Sequence, residues 1–128
     1  MRRFRLLLGI ALGVAAGTAA RAQFNVPVSK PSPETLFRNQ CATCHTLNPN
    51  DPPRQGPTLA GLIGREAGSV PGFNYSSGFA TVHFSWDAAH LDAYLTNPQS
   101  VIPGAVMPYR QANAETRAAI ISYLEAQH

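Results

Sequence analysis

The chain has 128 residues, 45% of them hydrophobic and 13% charged, with two cysteines. That is room for one domain of modest core plus a leader, and two cysteines exclude a disulfide framework. The formal net charge of +3 comes from the first residues, so it supports neither nucleic-acid binding nor adhesion to an anionic membrane.

Met1-Arg2-Arg3-Phe4-Arg5 is a short cationic start. Leu6 to Ala20 is an apolar run broken by Gly9, Gly13 and Gly17, and Ala20-Arg21-Ala22 has the small-x-small pattern of a cleavage site. The pattern predicts a signal peptide over 1–22, cleaved after Ala22, and hence export to the periplasm. An uncleaved membrane anchor is the alternative, but a span needs ~20 strongly apolar residues, and this run is short and rich in Ala and Gly. Cleavage removes four arginines. Lys30, Arg38, Arg54, Arg65, Arg110 and Arg117 then face seven carboxylates, a balance of −1.

Residues 23–31 read as a flexible lead-in to a domain over 32–128. Ser32 before Pro33-Glu34 is a helix start: cap, proline at the first position, acid in the first turn. The helix is expected to reach about Cys44, with Phe37 and Cys41 one turn apart. Asn48 to Pro57 is a loop, and Leu59, Leu62 and Ile63 suggest one helical turn. Gly64 to Thr81 is glycine-rich and irregular, yet carries Phe73, Tyr75 and Phe79, which suits a loop wrapped over something apolar. Trp86 to Leu95 is expected to be helical, with Leu91, Tyr94 and Leu95 at i, i+3 and i+4, stopped by Asn97-Pro98. Gln99 to Arg110 is a second loop. Asn113 caps a last helix whose buried side is expected to hold Ala114, Ile120, Ile121 and Leu124. No segment has strand periodicity, so the domain is all-α, with short helices and long loops around a prosthetic group.

Cys41-Ala42-Thr43-Cys44-His45 names that group. Two thiols three residues apart on one turn can each reach a vinyl group at a haem edge, and the next residue places an imidazole at the iron. A thioredoxin-type redox pair needs a preceding strand and a βαβ setting. A zinc site needs two further ligands, and His83, His90 and His128 lack the spacing. His90 is expected to face solvent.

From Phe37 onward the chain resembles the class I cytochrome c family, its soluble mitochondrial and bacterial branch. The matching pieces follow the family's order: Cys41 to His45, Gly56-Pro57-Thr58-Leu59-Ala60-Gly61-Leu62-Ile63-Gly64-Arg65, and Pro71-Gly72-Phe73-Asn74-Tyr75. Then come Trp86, Leu91-Asp92-Ala93-Tyr94-Leu95-Thr96-Asn97-Pro98, and Ile102-Pro103-Gly104-Ala105-Val106-Met107. The resemblance implies the class I fold and a single haem c, covalent through thioethers at Cys41 and Cys44. Iron is then ligated by His45 and Met107. Pro57 offers its carbonyl to the His45 Nδ1 hydrogen, and Gly56 lets backbone approach the haem edge. Tyr94 supports the methionine sulfur. Arg65, Tyr75 and Trp86 surround a haem propionate. Two positions depart from the pattern: Ala105 replaces a usual hydroxyl and Phe79 a usual amide.

Filled axial positions imply a one-electron carrier of a respiratory chain and no catalytic residue. The rivals are a haem sensor or peroxidase-like protein with a labile sixth ligand, or the cytochrome subunit of a periplasmic dehydrogenase. The expected partners are a redox donor and acceptor (oxidase, reductase complex or dehydrogenase), met by a monomer without a membrane span after cleavage. With Gln40, Gln99, Ser100 and Val106 where relatives of this type carry lysines, docking is expected on a neutral patch of Ile102, Pro103, Val106 and Tyr109.

Overall fold

The computed structural model describes residues 29–127. The expected leader, most of the lead-in and His128 lie outside the described residues. Helix α1 spans Pro33–Gln40, where the Ser32 hydroxyl accepts the Thr35 N–H at 3.1 Å and satisfies one of the open N–H groups of the first turn. It stops short of the expected Cys44. Cys41 caps it at φ −117°, the Ala42 N–H reaches back five residues to the Phe37 carbonyl, and Cys44 and His45 both donate to the Cys41 carbonyl. The cysteine–histidine motif is therefore a separate tight turn, not the end of the helix.

Two backbone bonds pair this turn with the next loop: Gly56 N–H to the Cys44 carbonyl and Leu59 N–H to the Thr46 carbonyl, both 2.8 Å. Buried Thr46 donates to Asp51 at 2.5 Å and accepts the Asn48 N–H at 3.1 Å, which orders residues 46–51. The expected helical turn at 59–63 is a single turn closed from Leu62 to Leu59. Gly61 and Gly64 take φ of +59° and +81°, a backbone that no right-handed helix continues.

Residues 64–67 then pair antiparallel with 84–86. Trp86 donates to the Arg65 carbonyl at 2.9 Å and accepts from Gly64 at 2.8 Å, beside an isolated bridge between Glu66 and Ser85. Trp86 is thus extended, and helix α2 begins two residues later than expected, spanning Ala88–Thr96. The reason is local: Asp87 caps it, its carboxylate accepting the His90 N–H at 2.7 Å. Two short elements sit where the sequence suggests loops. One is a 3-10 helix over Ser77–Thr81, and the other is α3, Pro98–Val101, opened by Asn97 and Pro98. Helix α4 spans Ala114–Glu125, capped by Asn113, whose side-chain oxygen accepts the Thr116 N–H at 2.9 Å.

Helix α1 packs on α4, and α2 packs on both α3 and α4. Between them lie Phe37, Leu91, Leu95, Ile102, Ile120, Ile121 and Leu124, all buried. Each contributes roughly 1.5–3 kcal/mol. Ala114 does not join them: it is exposed, because the first turn of α4 projects past the core. Apart from the single bridge the described residues are helix, turn and loop, an all-α domain. None of its helices is long and apolar enough to cross a membrane.

Candidate functional site

A cavity of about 280 Å³ opens between the 41–45 turn, the aromatic loop and the loop after α3. Cys41, Cys44, His45, Pro57, Arg65, Tyr75, Trp86, Tyr94 and Met107 all line it. Residues separated by as many as 66 positions in the chain thus share one wall of side chains.

The backbone pairing described above sets Pro57 beside His45, so that Nδ1 lies 2.8 Å from the Pro57 carbonyl oxygen. A carbonyl only accepts, which puts the ring hydrogen on Nδ1 and leaves Nε2 with a free lone pair. Burial lowers the imidazole pKa against the opposing effect of that bond, and so keeps the ring neutral, the form that binds metal. Gly56 is needed for a reason closer than the cavity edge. A Cβ there would stand 2.6 Å from His45 Nδ1 and 2.8 Å from Nε2, inside the ring's own space.

The Cys41 thiol is buried, and burial, helped by nearby Cys44, pushes its pKa up to about 11. A redox-active dithiol requires a depressed pKa and an electropositive setting, and the raised Cys41 thiol is the opposite of that. Arg54 ties down the same turn, donating to the carbonyls of Ala42 at 2.5 Å and His45 at 3.4 Å.

On the other walls, Arg65 donates to the carbonyls of Thr58 and Ala60, both at 2.8 Å. Burial lowers its pKa and nearby Tyr75 opposes the shift. Among the described residues no carboxylate pairs with it. The Tyr75 hydroxyl accepts the Val70 N–H at 3.3 Å, and its ring packs between Phe73 and Phe79 at 4.8 and 4.7 Å. Trp86 meets Tyr94 edge-on at 5.1 Å, and burial pushes the Tyr94 phenol up to about 12.

Met107 follows a turn held by the side chain of Gln99, whose oxygen accepts the Gly104 N–H at 2.9 Å and whose nitrogen donates to the Ala105 carbonyl. In the expected docking patch Val106 is 81% exposed, but Ile102 is fully buried. It belongs to the core, because the Ile102 N–H closes α3 onto Pro98 and turns the side chain inward. His90 is half-buried rather than solvent-facing: its ring stacks on Phe84 at 4.3 Å and its Nδ1 lies 2.8 Å from Asp87.

Ser76 and Arg54 escaped the sequence reading as site or turn residues, and Gln40 and Tyr109, expected only around the docking face, also line the cavity. The Ser76 Oγ is buried without a hydrogen-bond partner and lines the cavity. A buried hydroxyl without a partner costs about 1–3 kcal/mol. No spacing signal marks them: Gln40 and Tyr109 pair across 69 positions, Arg54 reaches back 9 and 12 residues to the motif turn, and Ser76 has no partner at all. A largely apolar enclosure edged by one uncompensated cation and one unpartnered hydroxyl suits a flat apolar group with acidic substituents. Two thiols and a neutral imidazole suit covalent attachment and iron ligation. The residues present fit a haem.

The profile of the family described as Cytochrome c matches residues 34–127. A cytochrome c2 of Rhodomicrobium vannielii is 42% identical over 96 residues, 74% of this chain and 76% of the relative. A cytochrome c of Ginkgo biloba is 39% identical over 93 residues, 72% and 82% of the two chains. A cytochrome c type-1 of Ascaris suum is 37% identical over 97 residues, 75% and 86%.

Proposed function

Because this chain belongs to the cytochrome c family, we propose that it is a periplasmic one-electron carrier with a single haem c, held by thioethers at Cys41 and Cys44. The coarser function follows from membership: it is a haem-containing electron carrier, not an enzyme, and acts with redox partners. The observation that carries the finer reading is the 41–45 turn, which directs two thiols and an imidazole into a cavity that Met107 also lines.

The bound group supplies an iron centre that changes charge by one electron. The chain's own residues do the rest. His45, with Nδ1 anchored on Pro57, would offer Nε2 to the iron, and Met107, on the same cavity, would offer its thioether. Two protein ligands would leave the iron no place for a substrate, which suits a carrier. Arg65, Tyr75, Trp86 and Ser76, which line the cavity, would receive a propionate, since a carboxylate in an apolar interior is costly unless paired. Leu62, Leu91 and Leu95 exclude water, and Tyr94 stays protonated and able to donate toward the methionine sulfur.

The reading includes a leader over 1–22 cleaved after Ala22, a domain over 32–128, and a monomer that exchanges electrons with an oxidase, reductase complex or dehydrogenase. The test is a mass spectrum of the purified protein after acid–acetone extraction. It should show residues 23–128 plus the mass of one haem, and Cys41→Ala or Cys44→Ala should leave one thioether or stop maturation. Complete release of haem into the acetone would sink the covalent assignment.

A further inference from the structure

The segment that carries Met107 is tethered at its ends and at one point between them. Before it, Gln99 grips Gly104 and Ala105; after it, the Gln111 N–H bonds the Leu95 carbonyl at 2.8 Å. Among the described residues, no backbone group of residues 106–110 makes a hydrogen bond. Val106, Pro108 and Arg110 are exposed, while Met107 and Tyr109 are half-buried. That alternation is the one an extended chain imposes, with residues two apart on one face. Tyr109 is therefore the neighbour of Met107 on the cavity side.

The Tyr109 hydroxyl donates to Gln40 Oε1, and the Gln111 side chain donates to the same oxygen at 2.9 Å. Gln40 is the last residue of α1, next to Cys41. Gln111 is itself held firmly. Its carbonyl accepts from Arg117 at 2.9 Å, and Arg117, with a side chain 11% exposed, donates to Asp92 at 2.7 Å.

We propose that the Tyr109–Gln40 hydrogen bond, braced by Gln111, is the latch that holds the Met107 segment against the cysteine-bearing turn and sets how often Met107 leaves the iron. The inference rests on the ligation by Met107 proposed above. Tyr109 and Gln40 are positioning residues, since neither acts except through Met107. The physics is simple: five residues with no backbone bonds of their own are tied through one polar group, the Tyr109 hydroxyl, which donates to Gln40 and accepts from the Gln111 side chain at 3.3 Å, and removing it frees them to swing about Ala105 and Gln111.

The test is the rate of carbon monoxide binding to the reduced holoprotein, which reads opening of the sixth position. Tyr109→Phe keeps the ring and removes the bond, and Gln40→Ala removes the acceptor. Each should bind carbon monoxide about fivefold faster than wild type, the scale of one net hydrogen bond. The double variant should be no faster than Tyr109→Phe, which already removes every bond of the hydroxyl, including the one from Gln111 that Gln40→Ala leaves in place. Gln40→Glu keeps an acceptor oxygen and should return the rate to within about twofold of wild type. In the oxidised protein the sulfur-to-iron charge-transfer band should fade at lower temperature in both single variants. A Tyr109→Phe rate within twofold of wild type would show that packing alone holds the segment, and would overturn the latch. Rapid, stoichiometric binding by the wild type would instead remove Met107 as ligand, and the latch with it.

Discussion

Gly56→Ala tests how the histidine is placed. A Cβ at this position meets His45 Cε1 at 2.2 Å and Nδ1 at 2.6 Å, against 3.4–4 Å for an ordinary contact, so the ring must retreat by about 1.2 Å. From 2.8 Å, such a retreat carries Nδ1 beyond hydrogen-bond range of the Pro57 carbonyl. The overpacking costs ~1–3 kcal/mol and the lost bond ~1 kcal/mol. Alanine returns ~0.5 kcal/mol by narrowing the unfolded ensemble, because Gly56 does not occupy a positive φ. The net loss is about 1.5–3.5 kcal/mol, a fall of roughly 0.5–1 M in the guanidinium midpoint for a chain of this size. Gly61→Ala is the control: it has φ +59° and no neighbour within 4 Å, so its cost is conformational strain alone, without effect on the His45 environment. Denaturation of the holoprotein, followed by the haem band and by far-UV dichroism, supplies the measurement. A Gly56→Ala midpoint within ~0.2 M of wild type, with an unchanged haem spectrum, would refute the steric argument.

Met107→Ala should let the reduced protein bind carbon monoxide readily and should lower the reduction potential, since thioether ligation raises it; an unchanged potential would mean that sulfur is not bound. Electron exchange with the physiological partner should depend weakly on salt as the Debye length falls from ~30 to ~8 Å. The expected docking face, without buried Ile102 and with Tyr109 turned to the cavity, is reduced to Pro103 and Val106, neither of them charged. Second-order rate constants at several ionic strengths decide the point, and a fall of tenfold or more would show that charge steers the encounter.

Local chemistry was legible wherever a residue's partner lies within a turn of it. Ser32 and Asn113 announce their helices because the groups they cap are three residues away. The C-x-x-C-H spacing announces its cofactor because attachment and ligation share one turn. Boundaries failed where one local signal overrode another. Asp87 caps α2 and so excludes Trp86, which a simple apolar periodicity includes. The loosened backbone at Cys41 ends α1 before the motif. Pro98 after Asn97 reads equally as a stop and as the first position of α3, and both readings are realised.

By itself, then, the sequence determined the all-α class, the caps at Ser32 and Asn113, and nine of the residues that line the cavity. Those features depend on bonds between near neighbours or on patterns carried whole by the family resemblance. Only the tertiary structure decided that Ile102 belongs to the core, that Gly56 makes room for the imidazole itself, and that Ser76 is left without a partner. It alone joined Gln40 to Tyr109, 69 positions apart. Burial and side-chain pairing at that separation follow from how α1, α2 and α4 pack, and no local propensity encodes the distance between two helices.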